Sequence, residues 1–462
     1  MKTVVLSGSP KGPLSATLQY ARFLEKQFPE HDFHIAHVAL EEGGLEGYPW
    51  ALESVVEEVR GAQGVLWVFP IYTFLVPARY KMFIERLLAG EAKDAFRDKY
   101  AASLSTSIHF FDHTAHNYVH GICEDLGMSF VGSFSAGVYD LMKPEGKRQL
   151  TLFARDFFAA ISDGTPVARR YVPLRHRPLE YSPGSPAEPV DLHGKRMVIV
   201  TDAHDEDSNA AKMVERLRSR FTPAPEVVNL HALSIRFGCD GCFQCGADGL
   251  CIRRDADDLH ALYTSKLDPA DVIVMAGTIR DRYLSSRWKL FFDRGFFRPL
   301  VPWFPGKQLA FLVSGPLRQL PNLREILEAY AEFHQANPAG IVTDEATDSA
   351  TLDRLLDGLA ERLAFCAREG YVKPRSFLGI GGSRIFRDDT YGFLRPVFQF
   401  AHRYYRKHGL YDFPQNDLRT RLMVFGGMLM TRLPGVGKRF YRSLKKDIVR
   451  CLQKEVDNWK GE

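Results

Sequence analysis

The 462-residue sequence predicts an α/β protein: two doubly wound parallel sheets in tandem, then a basic, mainly helical C-terminal region. Three observations predict it. Apolar, β-branched stretches alternate with stretches of helical period, the pattern of parallel strands joined by helical crossovers. After a proline-rich passage the pattern restarts: Val198-Ile199-Val200-Thr201 matches Val4-Val5-Leu6-Ser7 at an offset of 194 residues. Further on, Arg287-Trp288-Lys289-Leu290-Phe291-Phe292-Asp293-Arg294 matches Arg79-Tyr80-Lys81-Met82-Phe83-Ile84-Glu85-Arg86 at an offset of 208. One fold is therefore expected twice. The expected divisions are a first domain over 1–164, a linker over 165–194, a second domain over 195–372 and a basic tail over 373–462.

The first strand, Val4 to Leu6, runs into Ser7-Gly8-Ser9-Pro10-Lys11-Gly12 and on to Ser15 and Thr17. Leu14, Leu18, Ala21 and Leu24 then recur at helical spacing. The loop between them offers the hydroxyls of Ser7, Ser9, Ser15 and Thr17, a lysine, free backbone N–H groups and a positive helix end. Such a loop favours a phosphate dianion. It lacks the G-x-G-x-x-G spacing of a dinucleotide loop, and an ordinary strand-to-helix turn is the plainer alternative.

A second strand is expected at Phe33–Val38 and a helix at Leu52–Arg60. The apolar run Val65–Phe69 reads as a buried strand leading into Pro70-Ile71-Tyr72-Thr73-Phe74. A helix starts at Pro77, with Phe83, Ile84, Leu87 and Leu88 on its buried stripe. The next strand, from Ala101, ends in Ser105-Thr106-Ser107-Ile108-His109, and a helix begins near Asp112. Ligands of such sheets sit at the carboxyl ends of the strands. The loops 7–17, 70–75 and 105–110 are therefore the candidate pocket.

Pro166, Pro173, Pro178, Pro183, Pro186 and Pro189 mark a semi-extended linker. The two offsets differ by 14 residues, and the thirteen residues Cys239–Cys251 lie between their landmarks, so the cysteine segment is expected to be an insertion. A helix from Thr351 to Arg368 closes the second domain, with Leu352, Leu355, Leu359, Leu363 and Cys366 on one face.

The net charge of +4 is unevenly spread. From Ser383 onward there are 17 Lys or Arg against 8 Asp or Glu, so the body is mildly acidic and the tail basic. In the tail Arg403, Arg406, Lys407, Arg439, Arg442, Lys445 and Lys446 interleave with Phe398, Phe400, Tyr404, Tyr405, Phe425, Phe440 and Tyr441. Two readings stand: contact with a membrane surface or acidic protein, or helices packed across the two domains. No groove-reading motif points to nucleic acid. The apolar run Leu422–Met430 is too short to span a bilayer. Met1 leads straight into a strand, and an odd number of cysteines, seven, argues against a disulfide framework. The expected location is cytoplasmic, with peripheral membrane contact as the variant.

Cys239-Asp240-Gly241-Cys242-Phe243-Gln244-Cys245 and Cys251 have the spacing C-x2-C-x2-C-x5-C. That spacing admits a [4Fe–4S] cluster, zinc, or free thiols that shape the loop. Together with Gly8-Ser9-Pro10, Phe69-Pro70-Ile71-Tyr72 and the repeated aromatic-Lys-x-Phe-x-acid-Arg helix, the chain resembles the NADPH-dependent FMN reductase family, of flavodoxin-like fold, over about 1–165 and 195–370. The cysteine motif resembles that of the iron–sulfur flavoproteins. The resemblance implies an FMN phosphate held by Ser9, Lys11, Ser15 and Thr17, with Ala16 where the family often has Asn. It implies an isoalloxazine lined by Pro70, Ile71, Tyr72, Thr73 and Phe74, with Ser105, Thr106, Ser107 and His109 at its pyrimidine edge. Cys239, Cys242, Cys245 and Cys251 would be the metal ligands.

The corresponding loop of the second domain carries Asp202, Asp205, Glu206 and Asp207, which would repel a phosphate, so one FMN is expected. The two domains would form a pseudo-dimer within one chain, the second presenting its cysteines to the flavin of the first; further oligomerisation stays open. The implied activity is oxidation of NAD(P)H and reduction of a quinone, flavin or similar acceptor. The alternatives are an electron carrier that uses no nicotinamide, and a binding protein with a vestigial site. His109, His113, His116 and His120 form a helical stripe read as surface or pocket lining rather than a metal site. Arg280 and Arg282 would meet a nicotinamide phosphate, an acidic partner or solvent.

Overall fold

In the computed structural model, which describes residues 1–40, 51–90, 92–175, 179–413, 417–433 and 435–459, the apolar stretches are buried strands. The first sheet contains β1 (Lys2–Ser7), β2 (Asp32–His37), β3 (Gly64–Pro70), β4 (Tyr100–Ser107) and β5 (Ser129–Gly137), all parallel, in the order 2-1-3-4-5. The second contains β6 (Met197–Thr201), β7 (Glu226–Asn229), β8 (Val272–Thr278), β9 (Gln308–Ser314) and β10 (Asn337–Thr343), also parallel. Its order, 7-6-8-9-10, repeats the first. This is the flavodoxin-like order, which leaves a crevice at the strand ends beside the first strand. The two tandem α/β sheets expected from the sequence are present.

Parallel sheets need cover on both faces. In the first domain α1 (Ala16–Gln27) covers one face, while α2 (Ala51–Arg60), α3 (Ala78–Ala89), the short α4 (Lys93–Phe96) and α5 (Asp112–Asp125) precede α6 (Pro144–Asp163) in the chain. Leu18 and Leu24 of α1 and Leu150 and Phe157 of α6 share a core with Val5, Leu66 and Leu104. Trp67 and Phe69 point the other way, against Tyr80 of α3. In the second domain Met213 and Leu217 of α7 (Asn209–Arg218) pack on Ile199, Val274 and Leu312. The β7–β8 connection carries the cysteine insertion, with α8 (Cys245–Asp248) and α9 (Leu259–Ala261); α10 (Ser286–Arg294), α11 (Pro321–Phe333) and α12 (Ser349–Glu369) complete the domain.

Two expected core positions are corrected. Leu14 lies in a 3-10 turn and is 87% exposed, because Ser15 caps α1 and the helix begins one residue later. Leu355 is 46% exposed, and Leu356 takes the inward position beside Leu352, Leu359 and Leu363. Cys366 is buried as expected.

The two domains meet through α3 and α10, and the contacts are reciprocal. The N–H of Ala78 donates to Asp293 Oδ2 at 2.8 Å, and that of Ser286 donates to Glu85 Oε1 at 2.8 Å. Each pair joins the start of one helix to the end of the other, where a carboxylate meets the positive helix terminus. Lys81 reaches Asp281 at 2.9 Å, and Lys289 reaches the Tyr72 carbonyl at 2.9 Å. Lys81, Glu85, Lys289 and Asp293 belong to the two matched segments, so the repeated sequence supplies one side of each of these contacts.

Two compact units appear, Met1–Tyr404 and Tyr405–Glu462. The first includes α13 (Phe377–Tyr391), whose Phe386 stacks on Phe110 at 4.3 Å and meets Phe333 at 5.2 Å. One contact comes from each domain. It also includes the start of α14 (Gln399–Lys407). The second unit contains α15 (Leu418–Arg432), capped by Asp417, and α16 (Val436–Asn458). Among the described residues no helix is long and apolar enough to cross a membrane. Pro178 of the linker lies outside the described residues, as do the side chains of Lys445 and Lys446.

Candidate functional site

The loop after β1 is held from within. Gly8 N–H donates to the Val68 carbonyl at 2.7 Å, and Lys11 N–H to Ser9 Oγ at 3.3 Å. Gly12 sits at φ +51°, and a Cβ there would lie 2.3 Å from Leu40 Cδ2, so glycine is required. Ser15 Oγ accepts from Leu18 N–H at 3.3 Å and caps α1; Ala16 is the first helical residue. Thr17 Oγ1 lies 2.5 Å from Thr106 Oγ1, joining the first loop to the third. Ser9, Ser15 and Thr17 are buried.

Lys11 extends over the Phe243 ring, 4.3 Å from its centroid, a cation–π contact from the second domain's cysteine segment. Burial lowers its pKa, opposed by Cys239 and Cys242. Tyr72 meets the same segment: a Cβ at Gly241 would fall 2.0 Å from its hydroxyl. That hydroxyl is buried and among the described residues has no hydrogen-bond partner. Thr73 and Phe74, at φ +31° and +67°, hold conformations that side chains rarely take, a local strain found at binding loops. Ile71 N–H donates to the Thr106 carbonyl at 3.4 Å, so Pro70 and Ile71 adjoin the third loop.

Not every expected residue arrives. Phe74 is buried among Phe110, Phe111, Tyr330 and Phe333, in the core between the domains. Ser105 turns into the core, where Ser103 and Ser105 sit 2.7 and 2.8 Å from the two ring nitrogens of His116. Burial pushes His116 down to about 4. Ser107 Oγ accepts from His109 N–H, and exposed His109 meets Asp112 at 2.9 Å. His113 pairs with Glu325 and His120 with Glu124, so the histidine stripe disperses to four separate environments. Arg282 is buried, bidentate to Asp125 at 2.7 Å, and ties the domains together rather than meeting a ligand.

The four cysteines line one small cavity of about 30 Å3 with Phe296, Phe297 and Arg294. Cys245 Sγ approaches the Phe296 carbonyl at 3.7 Å, and Cys251 Sγ accepts from Arg253 N–H at 3.4 Å. Burial pushes the thiols of Cys239 and Cys245 up, the latter to about 12. Among the described residues no three His, Cys, Asp or Glu side chains converge to hold a metal ion. The described residues therefore offer no convergent ligand set for the expected cluster or zinc. Phe398 and Arg403 from the extension past 373 cover the segment, Arg403 donating to the Ala247 carbonyl at 2.6 Å.

In the second domain the loop after β6 is filled by its own carboxylate. Asp202 is buried and accepts from Ser285 Oγ and, at 3.3 Å, from Thr278 N–H. Burial raises its pKa. An anion has no place there.

The first domain's loop has the donor chemistry of a phosphate cradle: Lys11 with no carboxylate partner among the described residues, three hydroxyls, a helix start and an orphaned tyrosine hydroxyl. Sequence reading expected the cysteine segment to face this site but did not single out Phe243 and Gly241, the residues of that segment that meet Lys11 and Tyr72.

Residues 1–138 match the family model for NADPH-dependent FMN reductase. Among solved structures, similarity is found to an NADH:FMN oxidoreductase, EMOB, at 22% identity and a TM-score of 0.28, over 34% of this chain and 87% of that one. Another is FerB, a NAD(P)H:(acceptor) oxidoreductase from Paracoccus denitrificans, at 18% identity and 0.29, over 35% and 97%. A third is the general stress protein 14 of Treponema denticola in complex with FMN, at 12% identity and 0.26, over 35% and 98%. No curated protein matches.

Proposed function

We propose that this chain is an FMN-dependent NAD(P)H oxidoreductase that passes electrons to a quinone, flavin or similar acceptor. The observation that carries the reading is the loop Ser9–Thr17, which supplies Lys11, with no carboxylate partner among the described residues, three buried hydroxyls and the start of α1 within the segment matching the reductase family. Bound FMN would supply the hydride chemistry. Ser9, Lys11, Ser15, the Ala16 N–H and Thr17 hold its phosphate. Pro70, Ile71 and Tyr72 border the ring, and the backbone of 106–109 offers donors to its polar edge. The second domain, without an anion cradle, acts as a fixed partner that closes the site with Gly241 and Phe243.

The test is the flavin content and visible spectrum of the purified chain, followed by anaerobic mixing with NADPH. Stoichiometric FMN bleached by NADPH is expected, and K11E should lower FMN affinity at least tenfold. A colourless chain that takes up no FMN defeats the reading. Flavin that NADPH leaves oxidised favours a carrier fed by a protein donor.

We also propose that the second unit docks on an anionic membrane surface. Leu422, Met423, Val424, Phe425, Met428, Leu429 and Met430 of α15 are each more than half exposed, and they surround the helix rather than forming a stripe. A helix apolar on every side requires an apolar environment. Arg419, Arg421 and Arg432 flank it, which selects anionic headgroups.

A further inference from the structure

A cavity of about 1370 Å3 opens between α3, the passage at Pro173–Leu174 and the second-domain segments 231–237 and 280–290. Leu233, Phe237 and Leu290 line it together with Arg236, Arg280 and Arg287. It exceeds the usual size of a small-molecule site and combines apolar walls with a few charged groups. The loop 202–209, which Asp202 fills, does not line it, so this is no second flavin cradle.

The charges on its walls are unequally committed. Glu85 is held by Lys81 at 2.7 Å and by Ser286 N–H. Asp281 accepts from Lys81, from Tyr118 at 3.0 Å and from Tyr283 N–H. Asp125 is bidentate with Arg282. Every one of these carboxylates already faces a cation. Among the described residues no carboxylate pairs with the side chain of Arg236 or Arg280. Arg287 donates to the Leu230 and Leu233 carbonyls at 2.8–3.0 Å rather than to a carboxylate. Arginines gathered on one wall repel each other until an anion sits among them, and their planar forks suit sulfonate, carboxylate or phosphate.

We propose that this cavity is a binding site for an amphipathic organic anion. Its apolar body lies against Phe237, Leu233 and Leu290, and its anionic group meets Arg236 and Arg280, with Arg287 behind them. The probe is naphthalene-2-sulfonate, titrated calorimetrically into the full chain at low salt. Naphthalene-2-sulfonamide serves as the neutral isostere. One-to-one binding is expected, at least tenfold weaker for the sulfonamide and at least tenfold weaker in R236E/R280E. Both positions are exposed, so the variant should unfold at the wild-type temperature. Hydrogen exchange of the wild type should slow at 231–237 and 280–290 when the probe is added. Absence of binding, equal affinity for the sulfonamide, undiminished affinity in the variant, or protection confined to other segments overturns the proposal. Flavin content reads the Ser9–Thr17 loop separately, so failure of one assignment leaves the other standing.

Discussion

Lys81 shows how much one side chain can carry in this fold. Burial opposes its charge, but Asp281 and Glu85 hold its pKa up, so it stays an ammonium between two carboxylates from different domains. Removing one partner of such a buried group leaves the others uncompensated, at a cost of about 3–5 kcal/mol. K81M should lose that much stability in urea denaturation, and K81M/D281N should recover part of it; an unchanged midpoint would discount the contact. His116 supplies a pH dependence. Its native pKa of about 4 lies below the unfolded value, so it is neutral in the fold while the unfolded chain takes up a proton. Stability from this group is complete above pH 6.5 and declines as pH falls towards 4, by about 3 kcal/mol. H116Q should therefore show a flatter melting profile between pH 6.5 and 4 than the wild type, whatever its stability at pH 7.

At the scale of elements, α15 contrasts with the helices of the first unit. Elsewhere an apolar face is buried by a neighbour, as Leu352, Leu356, Leu359 and Leu363 of α12 are by the second sheet. In α15 no residue is buried. The chain should sediment with vesicles containing phosphatidylserine and much less with pure phosphatidylcholine, and L422D/F425D should remain in the supernatant. Equal sedimentation of variant and wild type would remove α15 from membrane contact. The helical extension of residues 377–404 behaves differently. Its Phe386 and Phe398 are buried, one between the domains and one over the cysteine segment. Both regions read alike in sequence, basic and aromatic, because composition does not say whether a neighbouring surface exists to receive a side chain.

At the scale of the molecule, the contacts that close the Ser9–Thr17 loop come from a domain some 230 residues further along the same chain. Such closure does not depend on concentration, unlike a site completed by a second subunit. FMN occupancy should stay constant when the holoprotein is diluted from micromolar to nanomolar with flavin held in excess; progressive loss would show that a separate copy is needed. The sequence by itself determined the two parallel sheets and their repetition, the loops at the strand ends and the place of the cysteine insertion. These follow from hydrophobic period and turn chemistry, which are local. Only the tertiary structure decided which loop side chains reach the site. Period assigns Phe74 and Ser105 to a loop and a strand, but the Phe110–Phe333 cluster and His116 draw them into the core. It also decided that the four cysteines gather around one small cavity beside Phe296 and that Arg282 is consumed by Asp125, whereas among the described residues no carboxylate forms an ion pair with Arg280. Those outcomes depend on what another element, distant in sequence, places opposite each group.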